Sequence, residues 1–513
     1  MRWSDTLKVK KYLQQVDWGL LAFLILFLNI KLPVKVIAIG FVFFLHRKSL
    51  IPREIIRKAW IPFYIVMLLL AVIGWLFTGL PHLSLPVLCS FGLGCTYWLL
   101  AIAAAMHIFH FVQRGDRDTL HRTTEVFFLL HVIIGLISFG VVCIAAGSVN
   151  PYTFQGLHQK YFINTGDFIK GISFDSSVTG AIISAFGLLY FLYRGRLALS
   201  LLCMITILLA GSNFVDLLVV GILLFIFLVH TDRVQKSMIL VYCLMIVVFM
   251  GRISPQNREY MEELMSKLGR NDAQAAVSDV DRLALSAKTR NTHLRVIDFV
   301  PGPELIARQT VLRAFADSLY STRMQDSLNR KYMAGGRRGR WIAWQEVGDF
   351  FSEHPGRLFT GTGMGNFSSR LAFKTVALGI AGTYPQSLRY FNPSFRDHYL
   401  YLYLYYYTRD PGGQSVVNMP GSVYGQLLSE YGLPGMAAFL LLYAGYFLRR
   451  IRSLSYGLPL VSLLGCCFFT DYWFEQLSIV VLFEFLVLLD QTHGSMPVRR
   501  SGAAIVNLKI QDK

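Results

Sequence analysis

A polar segment of about 170 residues, from 252 to 421, interrupts a chain that otherwise consists of successive apolar runs. Apolar runs that cross a bilayer must be helical, because unpaired backbone amides in hydrocarbon are very costly. With 54% hydrophobic and only 16% charged residues, the chain has too few charges for an ordinary soluble surface. The sequence therefore predicts an all-α polytopic membrane protein whose polar insert works on one side of the bilayer.

The hydropathy pattern predicts about twelve transmembrane helices arranged in four regions. Residues 1–251 carry helices one to nine, residues 252–421 form a large helical loop domain, residues 422–490 carry helices ten to twelve, and residues 491–513 form a tail. The predicted spans are 18–30, 32–45, 60–78, 87–106, 125–145, 177–193, 197–211, 214–230, 237–251, 422–448, 457–471 and 474–490.

The distribution of Lys and Arg predicts the orientation of these helices. With a cytoplasmic amino terminus, the cytoplasmic segments hold about 23 of the 49 basic residues, and the short loops on the other side hold about four. The remaining basic residues lie in the insert, which is too long to count in the positive-inside rule. The expected topology is therefore that of a bacterial inner-membrane protein with both termini cytoplasmic and a periplasmic insert.

Cysteine usage and charge narrow the function further. All seven cysteines fall inside predicted spans and none in the insert, so no disulfide framework or CxxC metal knuckle is expected. The net charge of +18 is divided between cytoplasmic flanks and the insert. This division favours membrane lipid headgroups on one side and an anionic substrate on the other, rather than nucleic acid.

Within the insert, three segments have apolar residues three and four positions apart, which is typical of helices that bury one face. These segments are 255–269, 303–320 and 341–354. We expect them to form a cap over the membrane helices.

A basic, glycine-rich turn leads into the third of these helices. Its residues are Gly335, Gly336, Arg337, Arg338, Gly339 and Arg340. Backbone amides and guanidinium groups can converge there near a helix amino terminus, which suits a phosphate group. A solvated surface turn is the alternative interpretation of the same pattern.

The segment GTGMGNF, residues 361–367, has three glycines in five residues. Such a backbone can come close to a ligand, but the segment does not follow a strand, so neither a Rossmann nor a P-loop interpretation applies. On its own it is consistent with an ordinary turn.

The order of these motifs resembles the O-antigen ligase and polymerase family of membrane glycan-assembly enzymes. Arg340, Trp344, Pro355 and GTGMGNF precede YGQLLSEYGLPGM at 424–436, which opens a span. The resemblance covers the topology of the whole chain, including the large loop between spans nine and ten, and implies a fold similar to the GT-C class. Its motifs lie within residues 340–367 and 424–435.

The resemblance implies a substrate and a reaction. Such enzymes transfer a glycan from undecaprenyl diphosphate to an acceptor hydroxyl, on another lipid-linked glycan in polymerases or on lipid A core sugar in ligases, without metal, nucleotide sugar or other cofactor. Arg340, supported by Arg337 and Arg338, is then expected at the diphosphate, because guanidinium groups bind phosphate oxygens in pairs. His398, beside Asp397, is our candidate for the general base.

Further residues of the motifs are expected to bind substrate. They are Trp344, Gly361, Gly363, Asn366, Arg396, Tyr424, Gln426 and Glu430.

Two positions depart from the family pattern. Ligases typically have a His-Asn pair about nine residues before the Glu that is Glu430 here, but this chain has Gly421 and Ser422. The family arginine expected after Ser212 is replaced by Asn213. His398 is therefore a substitute rather than a family residue, and the departures favour a divergent polymerase over a ligase.

The segment HYLYLYLYYYT, residues 398–408, alternates tyrosine with apolar residues. The pattern predicts either a strand with an aromatic face for stacking on sugars or an aromatic belt at the membrane interface, with the belt favoured.

Three other features of the sequence bear on alternatives to a glycosyltransferase. Asp279 and Asp281 have the DxD spacing of metal-dependent glycosyltransferases, but they lie in a helical, charge-mixed stretch. A lipid-linked glycan flippase or other transporter would be expected to show an internal repeat and charged or helix-breaking positions distributed through the spans. This sequence has no repeat, and its spans are nearly free of charge. A nonenzymatic scaffold would leave the cluster around Arg340 without a task.

Overall fold

The computed structural model describes residues 14–45, 60–78, 83–155, 165–229, 232–254, 339–377, 384–408, 418–451 and 454–493, together with 295–296, 324 and 416. The predicted helices at 255–269 and 303–320, the DxD pair, Arg337, Arg338 and the tail 494–513 lie outside these residues. The described residues are helical apart from connecting segments and one two-residue parallel pair, Phe154–Gln155 with Arg295–Val296.

Nine helices precede the insert in the described part of the chain. They are α1 (Trp18–Phe27), α2 (Leu32–Leu45), α3 (Ile61–Thr78), α4 (Leu85–Arg114), α5 (Arg117–Ala146), α6 (Ser177–Tyr193), α7 (Leu197–Ala210), α8 (Asn213–Val229) and α9 (Arg233–Val248), the last extended by a π turn, Phe249–Ile253. Each of the nine apolar runs predicted as a span up to residue 251 is therefore a helix.

The described part of the insert, residues 339–377 and 384–408, is called the cap below. Its helices are α10 (Gly339–Glu353), α11 (Arg357–Thr360), α12 (Arg370–Thr375), α13 (Pro393–His398) and α14 (Leu400–Thr408). The last three apolar segments form α15 (Val423–Ala438), a π turn (Phe439–Ala444), α16 (Gly445–Arg449), α17 (Gly457–Cys467), α18 (Trp473–Gln476) and α19 (Ser478–His493).

The described helices are those of a membrane protein. Five helical stretches are long and apolar enough, by length and composition, to cross a bilayer: Ile61–Thr78, Leu85–Arg114, Arg117–Ala146, Arg233–Ile253 and Val423–Arg449, the last interrupted at Gly432. Apolar side chains remain exposed along several of them, as lipid-facing surfaces require, whereas α6 and α19 are buried along most of their length. The two buried helices therefore form the centre of the bundle.

The predicted span 422–448 is not one straight helix. At Gly432 the backbone leaves the helical region, with φ +66° and ψ −163°. The rings of Tyr424 and Phe439 lie 5.9 Å apart, whereas fifteen residues of straight helix would separate them by about 22 Å. Residues 423–431 therefore fold back beside the stretch that follows Gly432, and only the second part continues along the bundle.

The tyrosine-rich segment forms helix α14 instead of a strand, so the strand prediction is wrong. Tyr399, Tyr401 and Tyr403 are at most 1% exposed, which also places them in the core of the cap rather than in a belt facing lipid. The ring of Phe373 stacks on that of Tyr403 at 4.3 Å. Helical spacing lets these tyrosines pack on several sides of the cap core, where large aromatic side chains contribute most.

Candidate functional site

Three segments meet where the cap contacts the membrane helices: 361–376, 422–432 and 468–476. We call this region the junction. Thr362 N donates to Ser429 O at 3.0 Å, and Val423 N donates to Phe468 O at 2.8 Å. Two motifs that are about sixty residues apart in the chain, GTGMGNF and YGQLLSEYG, are thereby joined by backbone hydrogen bonds.

The glycines of GTGMGNF are required by the backbone conformation. Gly361, Gly363 and Gly365 have φ angles of +67°, +89° and +74°, a region that favours glycine. A Cβ at Gly361 would overlap the carbonyl of Glu430, and one at Gly363 would lie 2.6 Å from Thr78 Oγ1. The loop therefore passes directly against the helices.

The loop amides bind the carboxylate of Glu430. Gly365 N donates to Oε2 at 2.9 Å, and Phe367 N donates to Oε1 at 3.1 Å. Glu430 is 1% exposed, so these two hydrogen bonds offset part of the cost of burying it. Two amides of the glycine-rich loop thus hold a carboxylate of the chain itself.

The break at Gly432 leaves helix carbonyls without their usual partners, and the loop supplies them. Besides the backbone bond to Ser429 O, the Thr362 hydroxyl donates to the same oxygen at 3.1 Å, and the next carbonyl accepts the Gly363 amide at 3.0 Å. Pro434 follows the break and restarts the helix. Irregular backbone at membrane depth is tolerated when protein satisfies it in this way.

Helix α12 carries two basic residues, Arg370 at its start and Lys374 one turn later. Arg370 Nη2 lies 2.6 Å from Asp471 Oδ2, which also accepts Gln476 Nε2 at 2.6 Å. Burial works to lower the pKa of Arg370, but Asp471 and Asp175 raise it above its usual value. One turn later, the side-chain ammonium of the partly buried Lys374 makes no hydrogen bond or ion pair within the described ranges. Burial together with Arg370 lowers its pKa, although Glu475, Asp175 and Asp471 act in the opposite direction.

Glu475 and Gln426 form a second polar contact in the junction. Gln426 Nε2 donates to Glu475 Oε1 at 2.6 Å, and Leu371 N donates to Oε2 at 2.9 Å. Both side chains are nearly buried, with 9% and 2% exposure for Glu475 and Gln426. The bond fastens the cap helix α12 and the first half of α15 to the turn before α19.

Arg340 lies on the other side of the same turn. Its Nη2 donates to Val416 O at 2.5 Å, Thr470 O at 3.2 Å and Met419 O at 3.4 Å. Burial lowers its pKa to about 10, so the guanidinium stays charged at neutral pH. The side chain expected at the diphosphate therefore connects backbone segments in this structure.

The two aromatic residues expected to bind substrate flank Phe469. The Trp344 ring lies 6.3 Å from it and the Tyr424 ring 4.6 Å from it. Tyr424 also donates its hydroxyl to Gly465 O at 2.9 Å. Trp344 and Tyr424 thus come together at the outer edge of the junction, although 80 residues separate them in the chain.

His398 lies inside the cap and is 3% exposed. Its Nδ1 is 3.5 Å from Glu346 Oε2, and its Nε2 is 3.9 Å from Glu353 Oε2. The imidazole packs against the rings of Phe350 and Phe367, at 5.3 and 5.9 Å. Phe367 thus contacts both sites: its ring packs on His398, and its backbone amide donates to Glu430.

Arg396 and Asn366, two further predicted site residues, bind groups that are close to them in the chain. Arg396 forms a bidentate ion pair with its neighbour Asp397, at 2.7 and 3.1 Å, on the cap surface. Asn366 Nδ2 donates to a carbonyl of its own loop at 2.9 Å. No group of three or more His, Cys, Asp or Glu side chains in the described ranges is arranged to hold a metal ion.

Sequence analysis missed four residues of the junction: Arg370, Lys374, Asp471 and Glu475. The spacing of Arg370 and Lys374, one helical turn apart directly after the glycine-rich loop, was one available signal. The acidic residues in DYWFEQ, between two apolar runs, were another.

Comparisons of the chain with protein-family models, with curated proteins and with solved structures find no match. The fold by itself defines a helical membrane protein. The resemblance to the O-antigen ligase and polymerase family remains a prediction from the motifs at 340–367 and 424–435.

Proposed function

We propose that this chain is an integral membrane glycosyltransferase, an O-antigen, capsule or exopolysaccharide polymerase or a ligase. It transfers a glycan from undecaprenyl diphosphate to an acceptor sugar hydroxyl at the periplasmic face of a bacterial inner membrane. The acceptor is a second lipid-linked glycan in a polymerase and lipid A core sugar in a ligase.

One observation carries the proposal. The two motif segments that suggest glycan assembly meet at the junction, where Gly365 and Phe367 hold the carboxylate of Glu430. A chance similarity in two distant stretches gives no reason for them to bind each other. The contact lies where a cap meets apolar helices, which is also where a lipid-linked sugar would present its diphosphate.

Lys374 and Arg370 are the groups that we assign to the donor diphosphate. The ammonium of Lys374 makes no direct ion pair with the described residues, although Glu475, Asp175 and Asp471 attract it, and burying such a charge is costly unless an anion binds it directly. Arg370, one turn away, is already paired with Asp471, and Arg340 lies across the turn that contains Thr470 and Asp471. Cations placed there stabilise the negative charge that develops on the leaving diphosphate.

His398, the sequence-predicted general base, keeps that role in the proposal, although it lies buried in the cap on the other side of Phe367 from Lys374 and Arg370. The acceptor oxygen attacks the anomeric carbon, the bond from that carbon to the diphosphate oxygen breaks, and the hydroxyl proton passes to the imidazole. Glu346, whose carboxylate accepts the Tyr401 hydroxyl at 2.6 Å, lies on the Nδ1 side and can orient the ring. A positioned base of this kind contributes about 10²- to 10⁴-fold.

The helix break favours one alternative, a lipid-linked glycan flippase. Secondary transporters use interrupted spans to bind substrates or ions at the exposed helix ends. Here the carbonyls freed at Gly432 accept the amides of the glycine-rich loop, so they are occupied by the protein itself. This occupation favours the enzyme.

Deletion of the gene, with measurement of surface and lipid-linked glycan sizes, tests the proposal. Collapse of long chains to a single repeat that still reaches the surface identifies a polymerase, and long chains retained on undecaprenyl diphosphate identify a ligase. Complementation with Lys374→Met, Arg340→Ala or His398→Ala should fail although the variant protein is present in the membrane. Unaltered glycans in the deletion strain would contradict both forms of the proposal.

A further inference from the structure

The two halves of cap helix α10 present different outer faces. Trp341 is 63% exposed, and Trp344, one turn on, is partly exposed. Two turns after Trp341, the exposed residues of the helix are Gly348 and Asp349. A large exposed indole is unusual on a soluble surface but common at a membrane interface.

The ring contact of Trp344 indicates how deep the aromatic half of α10 lies relative to the bilayer. Its ring neighbour, Phe469, follows the end of α17 by two residues. Helix α17 has eleven residues and therefore rises only about 16 Å, roughly half the thickness of a bilayer's hydrocarbon core. It begins shortly after the basic residues Arg449 and Arg450, which are typical of a membrane surface.

The surface beside this contact is apolar and exposed. From Phe469 the ring contacts continue through Tyr424 to Phe439, at 4.6 and 5.9 Å. The next two residues, Leu440 and Leu441, are 55% and 64% exposed. Such leucines on a membrane-spanning stretch face lipid, so the aromatic half of α10 continues a lipid-facing surface.

Arg340, which precedes Trp341, has the hydrogen-bond acceptors that an arginine below the membrane surface requires. Its guanidinium donates to three backbone carbonyls, including Thr470 O. Ionisable groups below the membrane surface are tolerated when protein acceptors satisfy them.

We infer that the amino-terminal half of α10 is embedded in the outer part of the bilayer, with Trp341 in contact with the hydrocarbon of membrane lipids. The carboxy-terminal half, beyond Gly348, rises into water. The cap is then a partly membrane-inserted element, and this inference is independent of the reaction that the protein catalyses.

Photo-crosslinking in lipid nanodiscs tests the inference on the full chain. Benzoylphenylalanine replaces Trp341 in one variant and Asp349 in a second, since both positions are exposed on the same helix. Irradiation should give a protein–lipid adduct, detected by mass, for the first variant at a yield at least about tenfold above the second. Equal yields at both positions, no lipid adduct at 341, or crosslinks at 341 only to protein would each overturn the inference.

Discussion

At the scale of single residues, the carboxylate of Glu430 connects the two motif segments. Glu430→Ala leaves two buried amides without acceptors, each worth about 1–3 kcal/mol, whereas Glu430→Gln retains one acceptor oxygen. We expect the alanine variant to lower the free energy of unfolding by about 2–6 kcal/mol and the glutamine variant by about half as much. Thermal unfolding in detergent measures this order, and an unchanged midpoint for Glu430→Ala would show that the contact contributes nothing.

Also at the residue scale, Gly363 is a glycine of the loop whose replacement should be harmful. Its φ of +89° costs a side-chain-bearing residue about 1–2 kcal/mol, and an added Cβ would lie 2.6 Å from Thr78 Oγ1. Gly363→Ala is therefore expected to lower the unfolding midpoint. Gly348→Ala is the matched control, because nothing lies within 4 Å of its Cβ; equal effects of the two substitutions would refute the argument.

At the scale of elements, the break in α15 determines how the loop and the helix fit together. Gly432 has φ +66°, and a Cβ there would lie 2.6 Å from Leu358 O and 3.0 Å from Gly361 N. Gly432→Ala should therefore separate α11 and the loop from α15. We expect faster hydrogen–deuterium exchange of the amides in 357–367, with Gly140→Ala, which has open space around its Cβ, leaving that exchange unchanged.

Hydropathy predicted the helices but could not predict how they are interrupted or joined. Each predicted apolar run is helical because burying backbone polar groups in lipid leaves few alternatives. Averaging over a window hid the break at Gly432, although Gly432, Pro434 and Gly435 were visible signals. The bond between Glu475 and Gln426, like that between Arg370 and Asp471, depends on tertiary contacts that local patterns do not encode.

At the scale of the whole molecule, the cap and the membrane helices form one site only if their charges act together. Lys374 and Arg370 come from the cap, whereas Asp471 and Glu475 come from the turn before the last helix. Lys374→Met retains the side-chain volume and removes the charge. We expect it to reduce glycan transfer about 10²-fold, the typical cost of losing one group that stabilises developing charge, without lowering the unfolding midpoint.

Purified protein in vesicles that contain an undecaprenyl-diphosphate-linked glycan and an acceptor glycan provides the sharpest test of the glycosyltransferase assignment. Mass spectrometry follows the length of the glycan and the release of undecaprenyl diphosphate. The protein should lengthen the acceptor and release one undecaprenyl diphosphate per transfer, with Lys374→Met strongly impaired and Gly348→Ala fully active. Folded protein that leaves donor and acceptor unchanged, with either type of acceptor, would contradict the assignment as a glycosyltransferase.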